Sequence, residues 1–246
     1  MSTTINGRVL IIAGSDSGGG AGIQADIKTV TALGGYAMTA ITALTAQNTL
    51  GVHAVHPVPR DFLDAQIRAV MDDLGADVIK TGMLHDQATI DGVLDLMHGA
   101  GQGVPLVVDP VMVAQSGHRL LDEEAVTYLA RRLLPCAAVM TPNRPEAEVL
   151  LGRPIPDRDA MLAAARELHA RWGAAVLLKG GHMDGDTVCD VLTDHQGRTA
   201  AYDHQRVDTR HTHGTGCTLA SAVAAGLARG LDLEKAVATA RAYVLE

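Results

Sequence analysis

The sequence predicts an α/β fold in which helices cover a mostly parallel sheet. Short aliphatic runs alternate with amphipathic segments along most of the chain, and several of the runs end in glycine-bearing or polar turns. A chain of 246 residues with 47% hydrophobic content can also bury one large core, so residues 1–246 are expected to form one domain.

Each element follows from its own pattern. RVLIIA (8–13) reads as a buried strand, GIQADIKTVTALGG (22–35) as a helix, YAMTAITALTA (36–46) as a strand, DFLDAQIRAVMDDLG (61–75) as a helix and DVIKTG (77–82) as a strand. The alternation continues with LVVDP (106–110), a helix over 122–134, AVMTPN (138–143), a helix over 158–172 and AVLLKGG (175–181). TVCDVLTD (187–194) and QGRTAAY (196–202) predict antiparallel strands added to one side. An alanine-rich helix is expected over 219–229. Right-handed crossovers place the strand C-termini on one edge, where ligands of such sheets bind. The turns at 14–22, 81–83, 109–110, 141–143 and 179–182 should therefore frame the site.

Composition excludes several functions. The net charge of -8, with no run of lysine and arginine, disfavours nucleic acid or an anionic membrane as partner. Aromatic residues make up 2% of the chain, too few for base-stacking platforms. Three scattered cysteines give no disulfide framework, which points to a reducing compartment, the cytoplasm. The apolar run Val9–Ala13 is too short for a signal segment, and no stretch approaches a membrane span.

The most informative segment is HGTGCT (213–218). Small residues at a helix start free backbone N–H groups, and these with the helix dipole can stabilise charge on a transferred phosphoryl group. Cys217 would sit where the dipole lowers a thiol pKa, making it a candidate base or nucleophile. The plainer alternatives are a glycine turn and a small core cysteine. Asp109 and Glu146 are carboxylates just beyond strands, suited to Mg²⁺, which needs only one or two carboxylates beside water and phosphate. Lys179 ends an apolar strand, where it can neutralise phosphate charge or simply be solvated. GAGIQA (20–25) fits a dinucleotide fingerprint, but six residues separate it from the strand, and Ala46 and Gln47 stand where an acid is needed. No GxxxxGK[ST] occurs. A zinc site from His211, His213 and Cys217 lacks a fourth ligand.

GTGC opening a helix resembles the ribokinase-like signature, with cysteine rather than aspartate in fourth place as in the hydroxymethylpyrimidine kinase branch. AGSDSGGGAGIQAD (13–26), ITALTAQNT (41–49), KTGML (80–84), DPVMVAQSG (109–117), TPNRPEAE (141–148) and KGGH (179–182) resemble that family in the same order. The resemblance implies a three-layer α/β/α sandwich that phosphorylates 4-amino-5-hydroxymethyl-2-methylpyrimidine and then its monophosphate with Mg-ATP in thiamine biosynthesis. It implies a catalytic role for Cys217 with the amides of Gly214, Thr215 and Gly216. Gly14, Asp26, Gln47, Met83 and Val111 would bind the pyrimidine, Asn143, Lys179 and Thr212 the ATP, and Asp109 and Glu146 the Mg²⁺. It further implies a homodimer. A pyridoxal kinase on the same scaffold is the alternative, disfavoured by Gln47; a non-catalytic pyrimidine-binding domain is another, disfavoured by the presence of GTGC, Asp109 and Glu146. The chain stops at Arg241–Glu246 within a helical pattern, where similar family members are expected to continue.

Overall fold

The computed structural model describes residues 7–113, 120–183, 185–207 and 212–246. Among these residues nine strands form one sheet in the order β3-β2-β1-β4-β5-β6-β7-β8-β9. Strands β1 (Arg8–Asp16), β2 (Tyr36–Asn48), β4 (Val78–Thr81), β5 (Leu106–Val108), β6 (Val139–Met140) and β7 (Ala175–Leu178) run parallel. Antiparallel β3 (Gly51–Pro57) closes one side, and the hairpin of β8 (Thr187–Thr193) and β9 (Thr199–Gln205) extends the other.

Alternation along β1 sorts its side chains between two apolar layers. Leu10 and Ile12 face a core shared with helices α2 (Arg60–Met71), α3 (Gln87–His98), α4 (Glu123–Tyr128), α5 (Arg144–Leu151) and α6 (Arg158–Trp172). Val9, Ile11 and Ala13 face α1 (Gly22–Ala32) and α7 (Thr215–Ala228). Helix α8 (Leu233–Leu245) packs on α7 through Val237 and Ala240. The result is the three-layer α/β/α arrangement. None of the described helices is long and apolar enough to cross a membrane.

Several helices begin where an acid or amide satisfies a free first-turn N–H. Asp86, Asp122, Asp157 and Asp232 each accept from the third amide of the following helix, and Asn143 forms a reciprocal capping box with Glu146. Helix α6 spans the residues read from the sequence, and the β8–β9 hairpin lies where antiparallel strands were expected.

Several elements differ from expectation, and α3 lies in a stretch where no helix was read. Helix α7 starts at Thr215, four residues earlier than the alanine-rich run implies, because Gly214 takes a left-handed conformation (φ 83°) and caps it. The expected helix over 122–134 keeps regular α geometry only to Tyr128, continuing as a π turn (Leu129–Leu133) and a 3₁₀ turn (Leu134–Cys136). Pro135 has no N–H, and its ring would crowd the carbonyl four residues back. Strand β3 carries no apolar run; its histidines and partly exposed valines fit an edge strand held by pairing with β2.

Candidate active site

The parallel strands deliver their C-terminal turns to one edge, where two glycine-rich segments meet. The first follows β1. Asp16, 2% exposed, accepts hydrogen bonds through Oδ1 from the Gly18 amide (2.8 Å) and through Oδ2 from the amides of Gly20 (3.1 Å) and Ala21 (2.8 Å). The second is the start of α7. The left-handed Gly214 lies so close to Gly20 that a Cβ there would stand 1.8 Å from the Gly20 carbonyl oxygen. The amides of Gly216 and Cys217 follow in the first turn, where a helix offers no carbonyl of its own. The Thr215 amide instead turns back to the Thr212 carbonyl at 3.3 Å, and the Thr215 hydroxyl donates to the same oxygen at 2.9 Å.

A cation stands over this helix end. Lys179, one residue past β7, places Nζ 3.3 Å from where a Gly216 Cβ would lie, and donates to Asp109 Oδ1 at 2.9 Å. The Thr141 hydroxyl donates to the same oxygen at 3.0 Å. Lys179 is thus not merely solvated, as a strand-terminal lysine can be; its side chain is 12% exposed. Glu146 is buried, and its Oε2 accepts the Asn143 amide at 2.8 Å. Burial pushes the Glu146 carboxyl up, Lys179 pulls it down and Asp109 adds repulsion, leaving it at about 7. Nearby, burial, with the charges of Lys179, Arg144 and Arg206, holds His182 below its ordinary value.

Beneath α7 lies a second, fully buried group. Lys80 on β4 donates to both Asp26 oxygens, at 2.9 and 3.0 Å, and the Ser221 hydroxyl on α7 donates to Asp26 Oδ1 at 2.7 Å. Burial acts to lower Lys80, but Asp26, Cys217 and Asp109 together outweigh it and lift the ammonium to about 12. Burial raises Asp26 despite Lys80; the two-pronged contact marks an ion pair. Asp26, expected at the pyrimidine, therefore has both oxygens committed inside the protein and no exposed surface.

Cys217 also departs from expectation. Burial pushes its thiol up to about 11, and neither the Lys80 charge nor the Gly22 amide brings it down. At neutral pH it is a thiol, whereas the sequence suggested a lowered value. The remaining expected residues are placed as follows. Met83 closes on Gly14, whose Cβ would lie 2.7 Å from the Met83 methyl, and the Thr42 hydroxyl donates to the Met83 carbonyl. Gln47, at the end of β2, is tied to the first glycine segment through Ser17, and its side-chain oxygen accepts from the Thr45 hydroxyl at 3.1 Å. Val111 is half-buried beside Asp109, and Thr212 is exposed. Residues 114–117 of the DPVMVAQSG segment and His211 lie outside the described residues.

Asp16, Lys80 and Ser221 were not singled out from the sequence. A lysine inside the apolar VIKT strand is the one signal that pointed to a buried partner. Ser221 lies one helical turn beyond Cys217, a relation visible only once α7 is known to start at Thr215.

A glycine-capped helix N-terminus with a lysine above it suits this edge of the α/β/α sandwich to an anionic ligand, and the sandwich itself is that of the ribokinase-like small-molecule kinases among its solved neighbours. The comparisons narrow the class. Residues 16–246 match the family model described as phosphomethylpyrimidine kinase, and the chain belongs to that family. It is 49% identical to a hydroxymethylpyrimidine/phosphomethylpyrimidine kinase of Rhizobium meliloti, over 96% of this chain and 88% of that one. It is 50% identical to a thiamine biosynthesis bifunctional protein of Geobacter sulfurreducens, over 97% of this chain but 48% of that longer protein. Among solved structures, a phosphomethylpyrimidine kinase of Clostridium difficile matches with a TM-score of 0.85 and 40% identity, over 96% and 97% of the two chains. A pyridoxal kinase of Staphylococcus aureus in complex with AMP-PCP and pyridoxal matches with a TM-score of 0.87 and 34% identity, over 96% and 86%.

Proposed function

We propose that the chain transfers the γ-phosphoryl group of ATP to the hydroxymethyl oxygen of 4-amino-5-hydroxymethyl-2-methylpyrimidine, and then to the resulting monophosphate, in thiamine diphosphate biosynthesis. The observation that carries this reading is Lys179 Nζ standing 3.3 Å from the Cβ position of Gly216, in the first turn of α7, while bonded to Asp109. Helix amides and an ammonium thereby converge on one point, as transfer of a highly charged group requires.

The pyrimidine would lie between Gly14 with Met83, Gln47 and Val111, with its hydroxymethyl group toward Cys217. Gln47 would pair with its ring nitrogen or amino group. Asn143, Lys179 and Thr212 would hold ATP, and the amides of Gly216 and Cys217 would receive the transferred charge. Because the Thr215 amide is taken by Thr212, Thr215 supports the turn. Asp26 would act from below, fixing Lys80 and, through Ser221, α7.

Asp109 and Glu146 fit a divalent cation: both carboxylates are buried, Glu146 is raised by that burial and further by Asp109, and positive charge would relieve both effects. They would hold Mg²⁺ largely through water, and bound Mg²⁺ would neutralise the phosphates in transfer. A homodimer is proposed by analogy with similar kinases, and sedimentation velocity tests it.

Substrate choice is tested by ADP release from Mg-ATP with either hydroxymethylpyrimidine or pyridoxal as acceptor. We expect kcat/KM to favour the pyrimidine. A preference for pyridoxal would assign the chain to the activity named for its Staphylococcus aureus neighbour.

A further inference from the structure

The Asp16 carboxylate does more than shape its own loop. Besides the three amides of residues 18, 20 and 21, its Oδ2 lies 2.9 Å from Nε2 of His213, a residue 197 positions away. His213 immediately precedes Gly214, the cap of α7. The approach depends on glycine: a Cβ at Gly20 would stand 2.5 Å from the His213 ring, and one at Gly214 would strike the Gly20 carbonyl. Burial alone would raise Asp16, yet His213 and the loop amides outweigh it and hold the carboxyl below its ordinary value, as expected for an anion committed to all four donors.

We propose that Asp16 is a positioning residue for phosphoryl transfer, acting through His213 to fix the first turn of α7 against the glycine-rich loop. Among the described residues, the contact with Asp16 Oδ2 is the side-chain hydrogen bond that links His213 to the loop, beside the close packing of Gly20 on its ring. The amides proposed to receive the phosphoryl charge, those of Gly216 and Cys217, lie three and four residues further on, within the same turn, so a shift of His213 is passed to them through Gly214 and Thr215. Misplacement by about 1 Å costs on the order of 100-fold in rate.

The proposal rests on the reading that the start of α7 receives the phosphoryl group. It is tested with His213→Phe, which leaves the Asp16 bonds to the three amides in place, and His213→Gln, whose side-chain N–H reaches to the same Oδ2. For His213→Phe we expect kcat to fall about 10- to 100-fold for both the alcohol and the phosphate acceptor, because both use the same cradle. KM for ATP should change by no more than about threefold, and His213→Gln should recover most of the lost kcat. Equal losses in the two variants, or kcat unchanged in the phenylalanine variant of an active enzyme, overturn the positioning role and leave the kinase reading standing. A fall confined to KM or to thermal stability overturns it as well, since that is what a structural contact alone would produce. A wild-type protein that turns over neither acceptor overturns the kinase reading and this role with it.

Discussion

Two side chains carry the pH behaviour of the site. As the proposed base, Cys217 must be a thiolate to accept the hydroxymethyl proton, and with the thiol at about 11 that form is scarce at neutral pH. Activity with the alcohol should therefore rise with pH toward that value, while activity with the monophosphate, already anionic, should not follow it. Cys217→Ala should cost about 100-fold with the alcohol and only a few-fold with the monophosphate; equal losses in coupled ADP assays would remove Cys217 as base. Glu146 acts in the opposite sense. Its folded value of about 7 exceeds the ordinary glutamate value of 4.5, so its contribution to stability is complete below about 4.5 and is lost as pH rises through 7. Without divalent cation, thermal stability should fall over that range by a few kcal/mol, and added Mg²⁺ should restore it at pH 8. Glu146→Gln, which keeps the capping box, should flatten both effects in differential scanning calorimetry. Glu146 was visible in the sequence as a carboxylate beyond a strand, but its burial was not, because burial depends on neighbours far away in sequence.

Among the elements, α1, β4 and α7 are joined by one charged contact inside the core. Asp26 comes from α1, Lys80 from β4 and Ser221 from α7. Removing one charge strands the other: Asp26→Asn should cost about 3–5 kcal/mol in urea unfolding, and Asp26→Asn with Lys80→Met should recover much of it. Failure of the second change to help would mean that Lys80 has another partner. Local pattern was enough for α6 and for the β8–β9 hairpin, whose periodicity or pairing is written within a few residues. It was not enough for the start of α7, since no apolar period runs through His213–Thr218; the helix begins there because Gly214 is pressed against Gly20, a contact between the two ends of the chain. Strand β3 escaped notice for a similar reason, being defined by its pairing with β2 rather than by its composition.

For the whole molecule, the order of strands explains why the α/β class and the position of the site were legible while its internal wiring was not. Parallel strands repeat one local signature, and the ligand edge follows from their common direction. Which turns touch depends on the sheet order, in which β1 lies between β2 and β4. Helix α7 covers Val9, Ile11, Val78 and Val107 on that central region. A chain ending at Gln205 should therefore retain the strands but expose this face. Dye binding by the apolar surface and loss of a single unfolding transition are expected, and a sharp two-state transition in that fragment would show that α7 is dispensable to the core.

The pairing of Asp16 with His213 and of Asp26 with Ser221 also sets a timetable. During synthesis, the loop after β1 and the Asp26–Lys80 pair emerge long before α7. At ribosomal speeds the interval from residue 80 to residue 221 lasts on the order of ten seconds. For that time the residues of the first strands are present without the helix that covers them in the folded protein, and the Asp16–His213 and Asp26–Ser221 contacts can form only afterwards.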